Sequence, residues 1–234
     1  MLKTAEEILI LLEDEGEIPL FRLQRWGKRK AAGALAQLEK RGLALKAIHA
    51  QGPTYKLTTV GRTQINQILI ALHQKRNNSN QWLAVLYNLP ESDRQKRDQL
   101  RRSLNNLNLI NLDAGFWITP HINTSNKIQN FIKKYKAENQ AIIITIYANP
   151  DLFRYILSKI NIENLNKEYK NFIQKVDKLL KVPPSHLKTY EIKKIIYLYA
   201  KTLASDPFLP ENYYPVDYLQ PKAHQKYKEL KSLL

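Results

Sequence analysis

The chain has 234 residues, 44% hydrophobic and 25% charged, which is ordinary for a folded soluble protein and enough to bury a core of its own. It has no cysteine, which excludes a disulfide framework and a thiolate metal site. Its 37 basic residues against 21 acidic ones give a net charge of +16, an imbalance that selects polyanions as partners, nucleic acid first and an anionic membrane second.

Residues 4–14 predict a helix, because Ala5, Ile8, Leu9 and Leu12 recur at i, i+3, i+4 and i+7 and Thr4 with Glu7 has the spacing of a capping box. This start is acidic where a signal peptide is basic, and no apolar run approaches the roughly 18 residues of a membrane span. A cytoplasmic protein with no membrane partner is the expectation. After Gly16 a short second helix begins at Pro19 and ends at Trp26-Gly27. A third runs from Lys28 to Arg41, with Ala31, Leu35 and Leu38 inward and Gly42 as its C-cap. The apolar runs Leu43 to Ile48 and Tyr55 to Thr58, separated by the turn Gln51-Gly52-Pro53, predict a hairpin. A further helix follows Gly61, with Ile65, Ile68, Leu69 and Leu72 on one face. Three helices, a hairpin and a trailing helix predict a winged helix-turn-helix DNA-binding domain over residues 1–76.

Residues 77–81, NNSNQ, form an expected linker. The next unit, 82–149, opens with an apolar strand, Trp82 to Leu89, stopped by Pro90. Ser92 and Gln95 have capping-box spacing ahead of a basic amphipathic helix, and a strand from Phe116 to Ile118 ends at Thr119-Pro120. A helix over 125–135 leads to the isoleucine-rich run Ala141 to Tyr147, which reads as a fully buried strand. The order is ferredoxin-like βαββαβ. From Pro150 to residue 234 the pattern is helical. Ile162, Leu165, Tyr169, Phe172, Val176 and Leu179 alternate steps of three and four, Pro183-Pro184 ends that helix, and another spans 187–203. A proline-rich loop over 207–221 precedes the last helix. The expected class is α+β: a winged-helix head, a ferredoxin-like middle that dimerises, and a helical C-terminal domain, 150–234.

The third helix is the candidate reader of DNA. Arg25, Lys28, Arg29 and Lys30 crowd its start, where cations oppose the helix dipole and a negatively charged ligand relieves the mismatch. Its outward positions are Arg29, Lys30, Gly33, Gln37 and Lys40. Arg29 suits guanine edges, Gln37 suits adenine, Gly33 allows close approach, and Lys28 and Lys30 suit phosphate. In the wing, Lys46, His49, Gln51 and Lys56 can touch a neighbouring groove or backbone, although a lone histidine is more often a plain surface residue. Arg94, Arg97 and Arg101 share a face of the middle helix, as a second phosphate-contacting stripe or an interface. The preferred reading is a salt-bridged surface, with Asp98 placed to pair with Arg101 and Arg102, or a subunit interface.

Two ordered blocks resemble the phenylacetic-acid catabolism repressor family (PaaX). The first is Leu89-Pro90-Glu91, Arg94, Arg97-Asp98, Leu100-Arg101, then Trp117-Ile118 and Pro120. The second is Asp206-Pro207-Phe208-Leu209-Pro210-Glu211, Tyr214-Pro215 and Ala223. The resemblance implies a dimeric repressor of a double-stranded DNA operator, with a middle domain similar to the small ferredoxin-fold subunit of CRISPR spacer adaptation. It also implies an acyl-CoA-like effector, phenylacetyl-CoA in the founding case, for which no residue of this chain can be named.

An enzyme is not expected. The place where the adaptation subunit carries an aspartate reads Tyr87-Asn88-Leu89-Pro90 here, and Asp93 reads as part of a helix start. The five histidines are scattered, and there is no phosphate-binding loop or nucleophile motif, so no catalytic residue, metal or cofactor is assigned. Two other readings stand beside the repressor: a CRISPR-associated or nucleic-acid-processing protein that uses the ferredoxin-like unit, and an architectural binder with little sequence preference.

Overall fold

The computed structural model describes residues 2–73, 80–183, 189–209 and 213–234. The chain divides into two compact units. One comprises Met1–Gln74, Asn166–Leu203 and Leu219–Leu234; the other comprises Lys75–Leu165 and Ala204–Tyr218. The C-terminal helices read from sequence as a third domain are thus shared between the two units. Of the expected linker, residues 77–79 lie outside the described residues, and Gln81 already begins a strand.

The first unit opens with α1 (Thr4–Glu15), β1 (Ile18–Pro19), α2 (Leu20–Leu23) with a short 3₁₀ turn, and α3 (Lys28–Lys40). Then come β2 (Ala44–His49), β3 (Gly52–Leu57) and α4 (Thr59–Leu69). The three strands pair antiparallel in the order β1-β3-β2, with Ile18 opposite Tyr55 and His49 opposite Gly52. Ile8 through Leu12 are all buried, so α1 is apolar on nearly every side and not on one face alone. Its start also differs from expectation. Lys3 precedes the helix and donates its backbone N–H to the Glu6 carboxylate at 2.8 Å, which frees Glu7 to accept from the Trp26 indole at 2.5 Å.

The unit is completed by Asn166–Leu203 and Leu219–Leu234. Within it, Tyr190 and Tyr197 join the core formed by Ile8, Leu11, Leu35 and Leu38. Lys193 bridges Glu13 and Asp14 at 2.9 and 3.0 Å, and Lys201 meets Glu6 at 2.7 Å. Phe172, Tyr199 and Tyr227 stack in a column with centroid separations of 4.6 and 5.3 Å. These groups tie α8 (Ile162–Leu179), α9 (Thr189–Ala204) and α10 (Gln220–Lys231) together.

The second unit runs β4 (Gln81–Tyr87), α5 (Arg94–Asn106), β5 (Ile110–Asp113), β6 (Phe116–Thr119), α6 (Ser125–Lys134), β7 (Ala141–Tyr147) and α7 (Pro150–Lys159). The strand order β5-β6-β4-β7, all antiparallel, with helices after the first and third strands, is the expected βαββαβ arrangement. Leu83, Val85 and Trp117 pack on Leu100, Leu104, Ile128 and Ile132 of the two helices. On the other face Trp82 meets Phe153 edge-on at 5.6 Å, and Phe153 stacks on Tyr213 at 3.7 Å.

Two local expectations fail here. Ser92 and Gln95 form no capping box, because Glu91–Asp93 make a 3₁₀ turn and α5 starts only at Arg94. The isoleucine run of β7 is not fully buried. The strand lies at the sheet edge, and Ile142, Ile144 and Tyr147 are 56%, 39% and 72% exposed. Periodicity cannot tell a buried strand from an apolar edge strand, since both read as continuous β-branched runs.

Candidate nucleic-acid interface

Lys28, Arg29 and Lys30 occupy the first turn of α3 and are exposed, while Ala31, Ala34, Leu35 and Leu38 face the core. Gly27, with φ at +91°, supplies the sharp entry to the helix and no side-chain cap. The first-turn N–H groups therefore end among three cations, with no acid in that turn. Gly33, Gln37 and Lys40 are exposed along the same helix, and Lys46 and Lys56 along the hairpin. The helical spacing expected from Ala31, Leu35 and Leu38 therefore gives the correct outward positions.

The charges of this unit are sorted. The acids of its first seventeen residues are occupied: Glu6 by Lys201, Glu7 by Trp26, Glu13 and Asp14 by Lys193, Glu15 by Arg22 at 2.6 Å, and Glu17 by His49 and Thr54. Hydrogen bonds from Thr54 and His49 hold the Glu17 carboxyl below its ordinary range. Lys28, Arg29, Lys30, Lys40, Lys46 and Lys56 have no ion pair among the described residues. Positive charge thus stays uncompensated at the head of α3 and on the hairpin.

Two candidates are already engaged. Arg25 lies over the Trp26 ring at 4.2 Å and over the Tyr190 ring at 4.6 Å, so its guanidinium also serves the fold. His49 sits 3.0 Å from the Glu17 carboxylate. Sequence reasoning overlooked Tyr190, whose part in this region follows only from tertiary packing. It also overlooked Ile48, 82% exposed near the hairpin turn. That exposure had a signal, since an isoleucine beside a turn residue in a two-faced hairpin has no sheet to cover it.

In the second unit, Arg94, Arg97 and Arg101 line one side of a cavity of about 600 Å³. Arg97 pairs with Glu91 at 2.8 Å, which holds its pKa above the ordinary arginine value. The expected pairing of Asp98 with Arg101 and Arg102 does not form among the described residues; Lys96 bridges to Asp93 at 3.0 Å instead. The helix thus falls short of the salt-bridged surface its spacing suggests, and Arg94 and Arg101 keep their charge unpaired.

Residues 75–150, which span this βαββαβ unit, match the family model described as the PaaX protein central Cas2-like domain. The central domain is PaaX-like. No curated protein matches it. Among solved structures it is similar to the uncharacterized protein Rv0674 from Mycobacterium tuberculosis, at 14% identity and a TM-score of 0.58 over 99% of this chain and 95% of that one. The likeness extends the shared fold well beyond the central domain.

The second block of PaaX-like residues has a structural job. Asp206, 3% exposed, accepts from the Phe208 backbone N–H at 2.9 Å and from the hydroxyls of Tyr214 and Tyr218 at 2.6 and 2.5 Å. Phe208 has φ at +53°, a conformation that costs a non-glycine residue energy, and the Asp206 bond holds it there. Pro210 and Glu211 of this block lie outside the described residues. Among the described residues no acidic or histidine cluster could hold a metal ion, and no helix is long and apolar enough to cross a membrane.

Proposed function

We propose that this PaaX-like chain is a sequence-specific, double-stranded-DNA-binding transcriptional regulator, acting as a cytoplasmic repressor. In this reading residues 1–76 are its winged helix-turn-helix. The observation that carries it is the sorting of charge: every acid of the first seventeen residues is occupied, while Lys28, Arg29, Lys30, Lys40, Lys46 and Lys56 are exposed and unpaired among the described residues. Cations at the head of a helix beside a β-hairpin suit a reader placed in a major groove with flanking phosphate contacts.

The reading includes a homodimer. β7 is an edge strand, and Leu86 on β4 continues its exposed Ile142 and Ile144 on one face. A free edge with apolar neighbours is a surface that proteins normally cover, and a second copy covers it without a further partner. Two heads related by a twofold axis read a near-palindrome.

Titrating the full chain against its own upstream DNA and against random duplex tests the proposal. The expected ratio of affinities is about a thousand or more. Arg29→Ala should weaken specific binding more than non-specific binding. Equal binding to both duplexes would instead make the protein an architectural binder.

The Cas2-like match favours one other reading, a nucleic-acid-processing protein. Glu91 is the first acid after the expected catalytic place and is paired with Arg97; Asp93, two residues on, is paired with Lys96. Magnesium-dependent cleavage that disappears in Asp93→Ala would favour processing over regulation.

A further inference from the structure

We propose, resting on the DNA-binding reading above, that the outer line of α8 is a second surface for duplex DNA, one that holds phosphates without reading sequence. Lys167, Lys170, Gln174 and Lys178 are exposed and fall at i, i+3, i+7 and i+11, and Lys181 continues the line on the turn that follows the helix. At 3.6 residues per turn these positions lie within about a quarter of the helix's circumference. Leu165, Tyr169, Phe172 and Val176 are buried on the opposite side. The core therefore fixes where the lysines point, and from Lys167 to Lys178 the line spans about 17 Å.

This is not a balanced solvated face. One turn before Lys167 the line carries Glu163, an acid in the first turn that suits the helix dipole. From there to Lys181 it carries no acid. Asp177, next to Lys178 in sequence, is taken by Lys226 of α10 at 3.0 Å, and Lys226 also holds Glu229 at 2.8 Å. Lys167, Lys170, Lys178 and Lys181 have no ion pair among the described residues. Like charges one helical turn apart repel, and a bound polyanion offsets that repulsion. The acids are drawn into the fold and the cations left outside, as at the head of α3.

The form of the row selects a duplex backbone. It lies on the convex side of a helix, where a small anion meets one lysine at a time. An anionic membrane takes up an amphipathic helix through its apolar side, and here that side is buried in the core. Single strands bind on aromatic platforms, and Gln174 is the one residue set among these lysines. A duplex carries one negative charge per about 1.7 Å of its axis, so a rigid line of cations meets several phosphates together. An ammonium needs no fixed fork geometry, which suits contact with the backbone and not with base edges. Residues 166–203 also belong to the same compact unit as Lys28, Arg29 and Lys30.

Salt titration of duplex binding by the full chain tests the surface, with its own upstream DNA and a random duplex of equal length. In Lys167→Gln/Lys170→Gln/Lys178→Gln/Lys181→Gln the slope of log affinity against log salt should fall by about three to four, since each phosphate contact contributes about 0.9. Both duplexes should lose equally, so their affinity ratio is kept, whereas Arg29→Ala lowers that ratio. The four side chains are exposed and glutamine forms helix about as well as lysine, so the melting temperature should equal that of the parent. Removing the same charge at and just after α6, in Lys127→Gln/Lys133→Gln/Lys134→Gln/Lys136→Gln, should change the slope by less than about one. An unchanged slope in the α8 variant, or an equal fall in the α6 variant, overturns the proposal and leaves the α3 reading standing. A slope that falls as expected in a parent that discriminates no sequence supports this surface and removes the operator reading. A parent that binds no duplex overturns both. An α8 variant that loses phosphatidylserine vesicles but no duplex makes the row a membrane contact and overturns the proposal.

Discussion

Tyr190 lies 4.6 Å beneath the Arg25 guanidinium, although most of the chain separates the two in sequence. The ring is buried in the first unit's core, and its hydroxyl points to the Glu7 carbonyl at 3.4 Å. Burial pushes its pKa from 10.0 up to about 12. A group whose pKa is higher in the folded state contributes stability that is complete below its unfolded pKa and is lost as pH rises through the folded one. Stability of the parent should therefore decline between pH 10 and 12, and Tyr190→Phe should flatten part of that decline. Urea melts across that window check it. At neutral pH the same variant should cost under about 1 kcal/mol, since the hydroxyl bond is long and the ring remains.

Gly61 should not tolerate a methyl group. A Cβ there would lie 2.2 Å from the Leu43 carbonyl oxygen and 2.7 Å from a Leu57 methyl. Its N–H also caps α4 through the Thr58 hydroxyl at 2.9 Å. Gly61→Ala should destabilise by about 2–4 kcal/mol through displacement of α4 from β2. Thermal melts measure it, and Gly33→Ala, on an exposed position with open space, is the control.

Trp82 is fully buried, yet its indole N–H has no acceptor among the described residues. The indole already bears the desolvation cost of that group, so Trp82→Phe should cost much less than Trp82→Ala, for which about 3–5 kcal/mol is expected from the lost packing on Phe153. Equal losses in the two variants, read by denaturant titration, would show that the N–H is satisfied in solution.

Asp206→Ala should remove the acceptor of the Phe208 N–H and of the Tyr214 and Tyr218 hydroxyls and release Phe208 from its positive φ. A buried hydrogen bond contributes about 1 kcal/mol, so the loss of three together should make the substitution among the most damaging in the second unit. Hydrogen exchange should localise the loss to residues 204–218.

Much of the architecture was legible because it rests on local rules. The spacing of Ala31, Leu35 and Leu38 gave the faces of α3, and alternating short apolar runs gave the hairpin and the βαββαβ order. The outward positions of the candidate interface followed from the same spacing. What was not legible depends on residues distant in sequence. Nothing near Arg25 announces Tyr190, and nothing near Glu13 announces Lys193. The exposure of Ile142 and Ile144 depends on which strand ends the sheet, and their own segment carries no mark of it. The cavity beside α5 needed the hairpin at Gly115 to be placed against Tyr87, a tertiary contact that helical spacing alone does not contain.

The path of the polypeptide has a consequence for biosynthesis. The first unit draws on three separate stretches of chain, the last of which is Leu219–Leu234. While the ribosome is still making the middle of the protein, Ile8 to Leu12 have been released but Tyr190 and Tyr197 do not yet exist to cover them. An N-terminal portion that folds first as it emerges would here lack two residues of its core. Its nascent head should stay partly bare until Tyr190 and Tyr197 emerge, and chaperone demand should be highest before then.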